Sequence, residues 1–169
     1  ACLAKDMVDY ENIYIVDTLT AAAGIRLLCE VAINWIGENR CVEDIVSGLE
    51  ELKERVHIYA GLDTLEYLAK GGRISKTAAA IGILASIKPI ICVDHGEVVV
   101  AGKTRGVNKA TSVVCEKMQS DIVDTLYPVY TLYSYGLENV EKLESKLDLD
   151  VNRVRIGSTI GVHIGPNAF

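Results

Sequence analysis

The sequence predicts an α/β fold in two lobes, and three observations predict it. Short β-branched and aromatic runs alternate with segments whose apolar residues recur at helical spacing, the pattern of strands joined by crossover helices. Half of the 169 residues are hydrophobic, enough for a substantial core. After residue 89 the rhythm changes to two adjacent strands joined by Asp94-His95-Gly96, a hairpin signal. The change divides the chain near Val56 into lobes at residues 1–55 and 56–169, without a Pro/Gly-rich linker between them.

The first segment, Asn12–Thr18 ("NIYIVDT"), reads as a buried strand ending in Asp-Thr. Thr20 can cap the helix that follows, in which Leu27, Leu28, Val31, Ala32, Trp35 and Ile36 recur at helical spacing. Gly37 and Asn39 stop it. A second helix is predicted from Val42 to Arg55, with Val42, Ile45, Val46, Leu49 and Leu52 on one face. Val56–Leu62 is the next strand. Asp63 and Glu66 then suit a capping box for a helix over Thr64–Lys70, which Gly71-Gly72 ends through a left-handed glycine. Ser75 can cap a helix of small residues, Thr77–Ile87, closed by the residue before Pro89.

"PIICV" and "EVVVAGK" form the hairpin strands, and "GVNKATSVVCEKMQSD" looks helical. "PVYTLYSYG" is a tyrosine-rich strand. "ENVEKLESKLD" is an exposed helix with Val140, Leu143 and Leu147 inward. The last strand is predicted as "NRVRIGSTIGVHIG", Asn152–Gly165.

Composition narrows the function. A net charge of −6 argues against general affinity for nucleic acid or anionic membrane. No segment is apolar long enough to span a bilayer, so stable membrane insertion is not expected. The five cysteines, Cys2, Cys29, Cys41, Cys92 and Cys115, show no CxxC or zinc spacing. Small buried thiols in a reduced, cytoplasmic protein are the expectation, with no metal. The opening "ACLAKDMVDYEN" has no initiator Met and no signal-peptide pattern, and it begins as if already inside an element. The natural protein is therefore expected to start further upstream.

Chemistry-bearing residues cluster in two places. Along the expected last strand, Arg153, Arg155, Gly157, Thr159, Gly161 and His163 would share one face, notched by the glycines beside His163. His163 can donate to an anion there, or stand as an ordinary surface residue. Arg73, between a helix stop and a helix start, can bind a carboxylate or phosphate bidentately, or tie helix-end carbonyls together. The helix Thr77–Ile87 admits a close neighbour beside Ala78, Ala79, Ala80, Gly82 and Ala85: another helix, or a thin apolar ligand. "KTRG" with Lys109 forms a small basic cluster that suits a solvated loop or an anionic partner. Asp17-Thr18, at the end of its expected strand, is a place where open sheets bind ligands and also a routine turn. GxSxG, P-loop, HExxH and GxGxxG patterns are all absent, so no self-sufficient catalytic apparatus is legible.

"LEYLAKGGRISKTAAAIGILASIKPII", followed by "GEV" and "KTRGVNKA", closely resembles the signature region of the DegV family. "IGSTIGVHIGPNAF" resembles that family's I-G-x-x-I-G-x-H-x-G-P-G-A closing segment, and "IYIVDT" its V-I-D-S/T strand. The resemblance runs the length of the chain. It implies two α/β lobes, here the remnant of a parallel lobe plus a mixed-sheet lobe, with one fatty acid buried between them. It also implies the role of the fatty-acid-binding subunit of bacterial fatty acid kinase: shielding the acyl chain and presenting its carboxylate to a separate ATP-dependent kinase subunit, without catalysis or cofactor of its own. By resemblance, His163 and Arg73 hold the carboxylate. Ala78, Ala79, Gly82 and Ile83 line the acyl tunnel with Thr159 and Gly161, and Lys103 and Arg105 face the partner.

Elementary energetics agree with such a site. Small side chains leave a groove for an alkyl chain, each buried methylene contributes about 0.8 kcal/mol, and an arginine with a histidine supplies donors for the charged head. The family's T/S-x-Q-P-S and S-G-T-Y stretches, whose hydroxyls also hold the carboxylate, are not in this sequence. Asn167 stands where a glycine is usual, and Asn tolerates left-handed backbone. Two other readings remain open here. One is an enzyme on a small phosphorylated or acidic substrate, with Arg73, Lys103 and Arg105 as anion ligands and His163 as acid/base. The other is a segment that assembles with further chains through an exposed sheet edge.

Overall fold

The computed structural model describes residues 1–74, 86–121 and 123–169. Its elements are α1 (Cys2–Asp6), α2 (Ala23–Gly37), α3 (Val42–Lys53), β1 (Ile58–Gly61), α4 (Glu66–Lys70), β2 (Ile87–Asp94), β3 (Glu97–Arg105), α5 (Val107–Ser120), β4 (Val129–Tyr133), α6 (Glu138–Glu144), β5 (Val151–Arg155) and α7 (Ser158–Ile164). The expected small-residue helix lies outside the described residues except at its end, where Ile87 opens β2 instead. Its cap, Ser75, and the tunnel candidates Ala78, Ala79, Gly82 and Ile83 lie outside them as well.

Two sheets form an α/β architecture. β1, β2 and β3 make an antiparallel sheet in that order, and β4 pairs with β5 in parallel, with α6 as the crossover. The hairpin turns where expected: His95 (φ 45°) and Gly96 (φ 82°) take the left-handed angles of a two-residue turn that matches strand twist. A bulge interrupts the ladder where Ile90 pairs with Gly102 but Ile91 pairs with Val100.

Alternation along β2 separates two cores. Ile90 packs with Ala110, Val114, Cys115, Val140, Leu143 and Phe169, on the α5–α6 side. Its neighbour Ile91 faces the other way, into Leu62, Leu65, Leu68 and Ala168. A third cluster joins α2 to α3 through Leu28, Val31, Ile45, Leu49 and Leu52, with Val16, Val56 and Tyr127 against it. The helical periods predicted these inner faces, although Ile36 (62% exposed) and Val42 (37% exposed) turn outward.

Four expectations are corrected. Asn12–Thr18 carries strand-forming residues but runs without a ladder, because no described strand lies beside it to take its backbone groups. The last strand is shorter than predicted. Ile156 donates its N–H to Tyr133 O (2.9 Å), where β4 ends, and beyond it the backbone satisfies itself as α7, with Gly161 N–H on Gly157 O (2.9 Å). The caps predicted for α2 and α4 are not used. Ala22 and Leu65 occupy the N-cap positions; Thr20 Oγ1 is buried with no partner among the described residues, and the Asp63 carboxylate is engaged elsewhere. Finally, only Cys115 is buried; Cys2, Cys29 and Cys41 are exposed and Cys92 is half-buried, all as free thiols.

Candidate functional site

The joint after α4 is a Schellman turn. Arg73 N–H donates to Leu68 O (2.8 Å) and Gly72 N–H to Ala69 O (3.1 Å), with Gly72 at φ +71°. This geometry needs the glycine at 72 and throws Arg73 onto the surface immediately past the helix. There its guanidinium donates to the Gly71 carbonyl at 2.7 Å. The arginine thus ties a helix-end carbonyl, and the residue is exposed.

Across from this joint lies α7, and α4 and α7 pack through reciprocal close approaches. The His163 imidazole rests on Gly71, so close that a Cβ on Gly71 would overlap Nδ1 and lie 2.8 Å from Cε1. The Tyr67 ring, one turn earlier on α4, rests in the same way on Gly165. His163 and Arg73 therefore meet at one residue, Gly71, although a helix and not the expected strand delivers the histidine. His163 Nδ1 is buried and has no hydrogen-bond partner among the described residues.

The helix also changes what surrounds His163. On α7, Thr159 is one turn before it and shares its face, whereas Gly157 and Gly161 do not alternate with it as a strand would require. Thr159 is exposed, and a Cβ on Gly161 would meet nothing within 4 Å, so space is open beside it among the described residues. Lys103 and Arg105 stand exposed on β3, outside the α4–α7 joint, without an ion pair among the described residues.

A polar clasp holds the end of the chain beneath this joint. Lys88 Nζ lies 2.5 Å from Asp63 Oδ1, and Asn167 Nδ2 donates to Asp63 Oδ2 at 2.9 Å. Burial opposes the Asp63 charge, but the hydrogen bonds from Lys88 and Asn167 and the Lys88 charge outweigh it and hold the carboxyl below its ordinary value. Asn167 sits at φ 59°, the left-handed backbone anticipated for it. Asn139 Nδ2 donates to its carbonyl (2.7 Å), and Ser134 Oγ donates to Gly165 O (2.7 Å) while accepting from Ala168 N–H (2.9 Å).

Sequence reasoning did not single out the contact of Gly71 with His163, that of Tyr67 with Gly165, or the Asp63–Lys88–Asn167 clasp. One signal was available: a single left-handed glycine suffices for the helix stop, so the other glycine of the pair required another cause. Nothing local in the sequence pointed from Asp63 to Asn167.

The family model described as "Uncharacterised protein, DegV family" matches residues 1–169. A DegV domain-containing protein of Clostridium acetobutylicum is 31% identical over 99% of this chain and 61% of its own length. One of Streptococcus pyogenes serotype M1 is 34% identical over 100% of this chain and 62% of its own. The chain thus spans about three fifths of these relatives. Among solved structures, a DegV lipid-binding protein of Thermotoga maritima superposes with a TM-score of 0.84 at 25% identity, over 99% of this chain and 60% of that one. A fatty-acid-binding DegV family protein of Thermus thermophilus gives 0.81 at 26% identity, over 98% and 61%. A stearic-acid-binding protein of Eubacterium ventriosum gives 0.80 at 27% identity, over 99% and 60%. Sequence and fold agree in these matches, and this chain belongs to the DegV family.

Proposed function

We propose that this chain binds a long-chain fatty acid, holding its carboxylate at His163 and Arg73 and shielding its acyl chain. The observation that carries the reading is the convergence of His163 and Arg73 on Gly71, in a chain similar to solved proteins that bind fatty acids. An imidazole and a guanidinium at one residue offer directed donors to an anion, and a carboxylate accepts from both. The open space beside Gly161 and the exposed Thr159 lie on the same helix and suit the start of an apolar groove. The groove continues, in this proposal, along Ala78, Ala79, Gly82 and Ile83.

The role we infer is that of a carrier without catalysis or cofactor of its own, acting in the cytoplasm. A partner kinase would transfer the γ-phosphoryl group of ATP to the presented carboxylate, giving an acyl phosphate and ADP, with Lys103 and Arg105 on the partner-facing side. No helix among the described residues is long and apolar enough to cross a membrane. We also infer that the ligand lies between lobes divided near Val56.

Denaturing extraction of the purified chain followed by mass spectrometry tests the reading, together with titration by stearic acid. Co-purified fatty acid, or saturable uptake that His163→Ala weakens, is the expected result. A chain that carries none and takes up none overturns it.

A further inference from the structure

We propose that Gly71 is a positioning residue: its missing side chain seats the His163 imidazole, turning Nδ1 into the protein and leaving Nε2 as the nitrogen that meets a ligand. The proposal rests on the fatty-acid reading for its consequence, but not for its geometry.

The backbone does not explain a glycine at this position. Gly71 has φ −78° and ψ −5°, right-handed values that any residue adopts, and the left-handed position of the turn belongs to Gly72. Alanine at Gly71 would be expected to favour the helix end on conformational grounds alone. What forbids a side chain is the imidazole, since a Cβ would overlap Nδ1, lie 2.8 Å from Cε1 and 3.2 Å from Cγ. These are atoms of a rigid ring, so the whole group must move.

A second contact of the same kind lies beside it: His163 lies on α7 two residues before Gly165, and Gly165 is itself filled by the Tyr67 ring. Tyr67 and Gly71 are one turn apart on α4. Each helix therefore contributes one ring and one glycine, and the interlock sets the distance between them. The same Gly71 carbonyl accepts from Arg73, so one residue sets the place of both donors. Buried against Gly71, Nδ1 is out of a ligand's reach, and the half-exposed ring can offer only its far nitrogen.

The test uses the 169-residue chain and the variants Gly71→Ala, His163→Ala, the double variant, and Gly37→Ala as a control whose Cβ meets nothing within 4 Å. His163 ring signals are assigned by NMR from their loss in His163→Ala, and stearic acid binding is titrated in parallel. Gly71→Ala is expected to displace the ring signals in the ligand-free chain and to weaken stearic acid about 10- to 100-fold, the loss of one hydrogen bond to a charged group. Gly37→Ala is expected to do neither. If Gly71→Ala melts early, the double variant should recover the melting temperature of His163→Ala alone, because the clash is gone. Unmoved ring signals in Gly71→Ala, or no recovery in the double variant, overturn the proposal. If no form of the chain binds stearic acid, the fatty-acid reading fails, and the ring signals alone still decide whether Gly71 seats His163.

Discussion

Gly61 and Phe169 exchange both backbone hydrogen bonds, Gly61 N–H to Phe169 O at 2.9 Å and Phe169 N–H to Gly61 O at 3.2 Å. The last residue thereby pairs with the end of β1. Its ring lies over Gly61, where a Cβ would come within 2.5 Å of Cε1, and reaches the core beside Ile90 and Val140. The segment that follows His163 is fastened to the antiparallel sheet by this pair and to the end of β4 by Ser134.

Phe169→Ala is expected to cost about 3–5 kcal/mol of stability by leaving a cavity in that core, while the backbone pair persists. Urea denaturation at equilibrium measures the loss. A change within a few tenths of a kcal/mol would show that the ring does not pack as described.

Gly165 has φ +77° and carries the Tyr67 ring against its α-carbon. Gly165→Ala meets both a strained backbone and a steric overlap. A destabilisation of about 2 kcal/mol or more is expected, with α7 displaced from α4. Tyr67→Ala combined with Gly165→Ala should recover only the steric part, and a double-mutant cycle separates the two.

The Asp63 carboxyl is held below its ordinary value by Lys88 and Asn167 against the opposing effect of burial. A depressed carboxyl contributes stability that is present above its unfolded value and is lost as pH falls through its folded value. Stability should therefore decline below about pH 4, the ordinary aspartate range. Asp63→Asn should be less stable than the natural chain at neutral pH and should show a weaker decline on the acid side. Parallel acid titrations by circular dichroism check both parts.

Arg73 is exposed and donates a hydrogen bond to the Gly71 carbonyl. Arg73→Gln is expected to change stability by only about 0.5 kcal/mol, as surface substitutions do. Stearic acid affinity should nevertheless fall about ten-fold, because a charged donor to the carboxylate is lost. Unchanged affinity beside unchanged stability would leave Arg73 with its helix-end role alone.

Much of the fold and part of the site are legible in the sequence alone. The inner faces of α2 and α3 follow from helical spacing, and the β2–β3 hairpin from Asp94-His95-Gly96. The stop after α4 is readable in Gly71-Gly72, and His163 and Arg73 stand out as donors. The acidic clasp is not legible, because Asp63 suits a helix cap equally well. Its carboxylate goes instead to Lys88 and Asn167, partners far away in sequence.

Local pattern therefore settled that α2, α3, α4, α5 and α6 are helices, where α4 stops, and that Asn167 can hold a left-handed backbone. It carried β5 too far, to Gly165, because "VRIGSTIGVHIG" alternates like a strand, although it also places Ile160 and Ile164 one helical turn apart. The end of β4 at Tyr133 decided the strand's length, by removing the neighbour whose backbone groups a longer strand would need. The extra glycine at 71 was likewise visible but mute until α7 brought an imidazole against it. A sequence states which faces are apolar and which backbones are permissive; only packing determines what arrives to meet them.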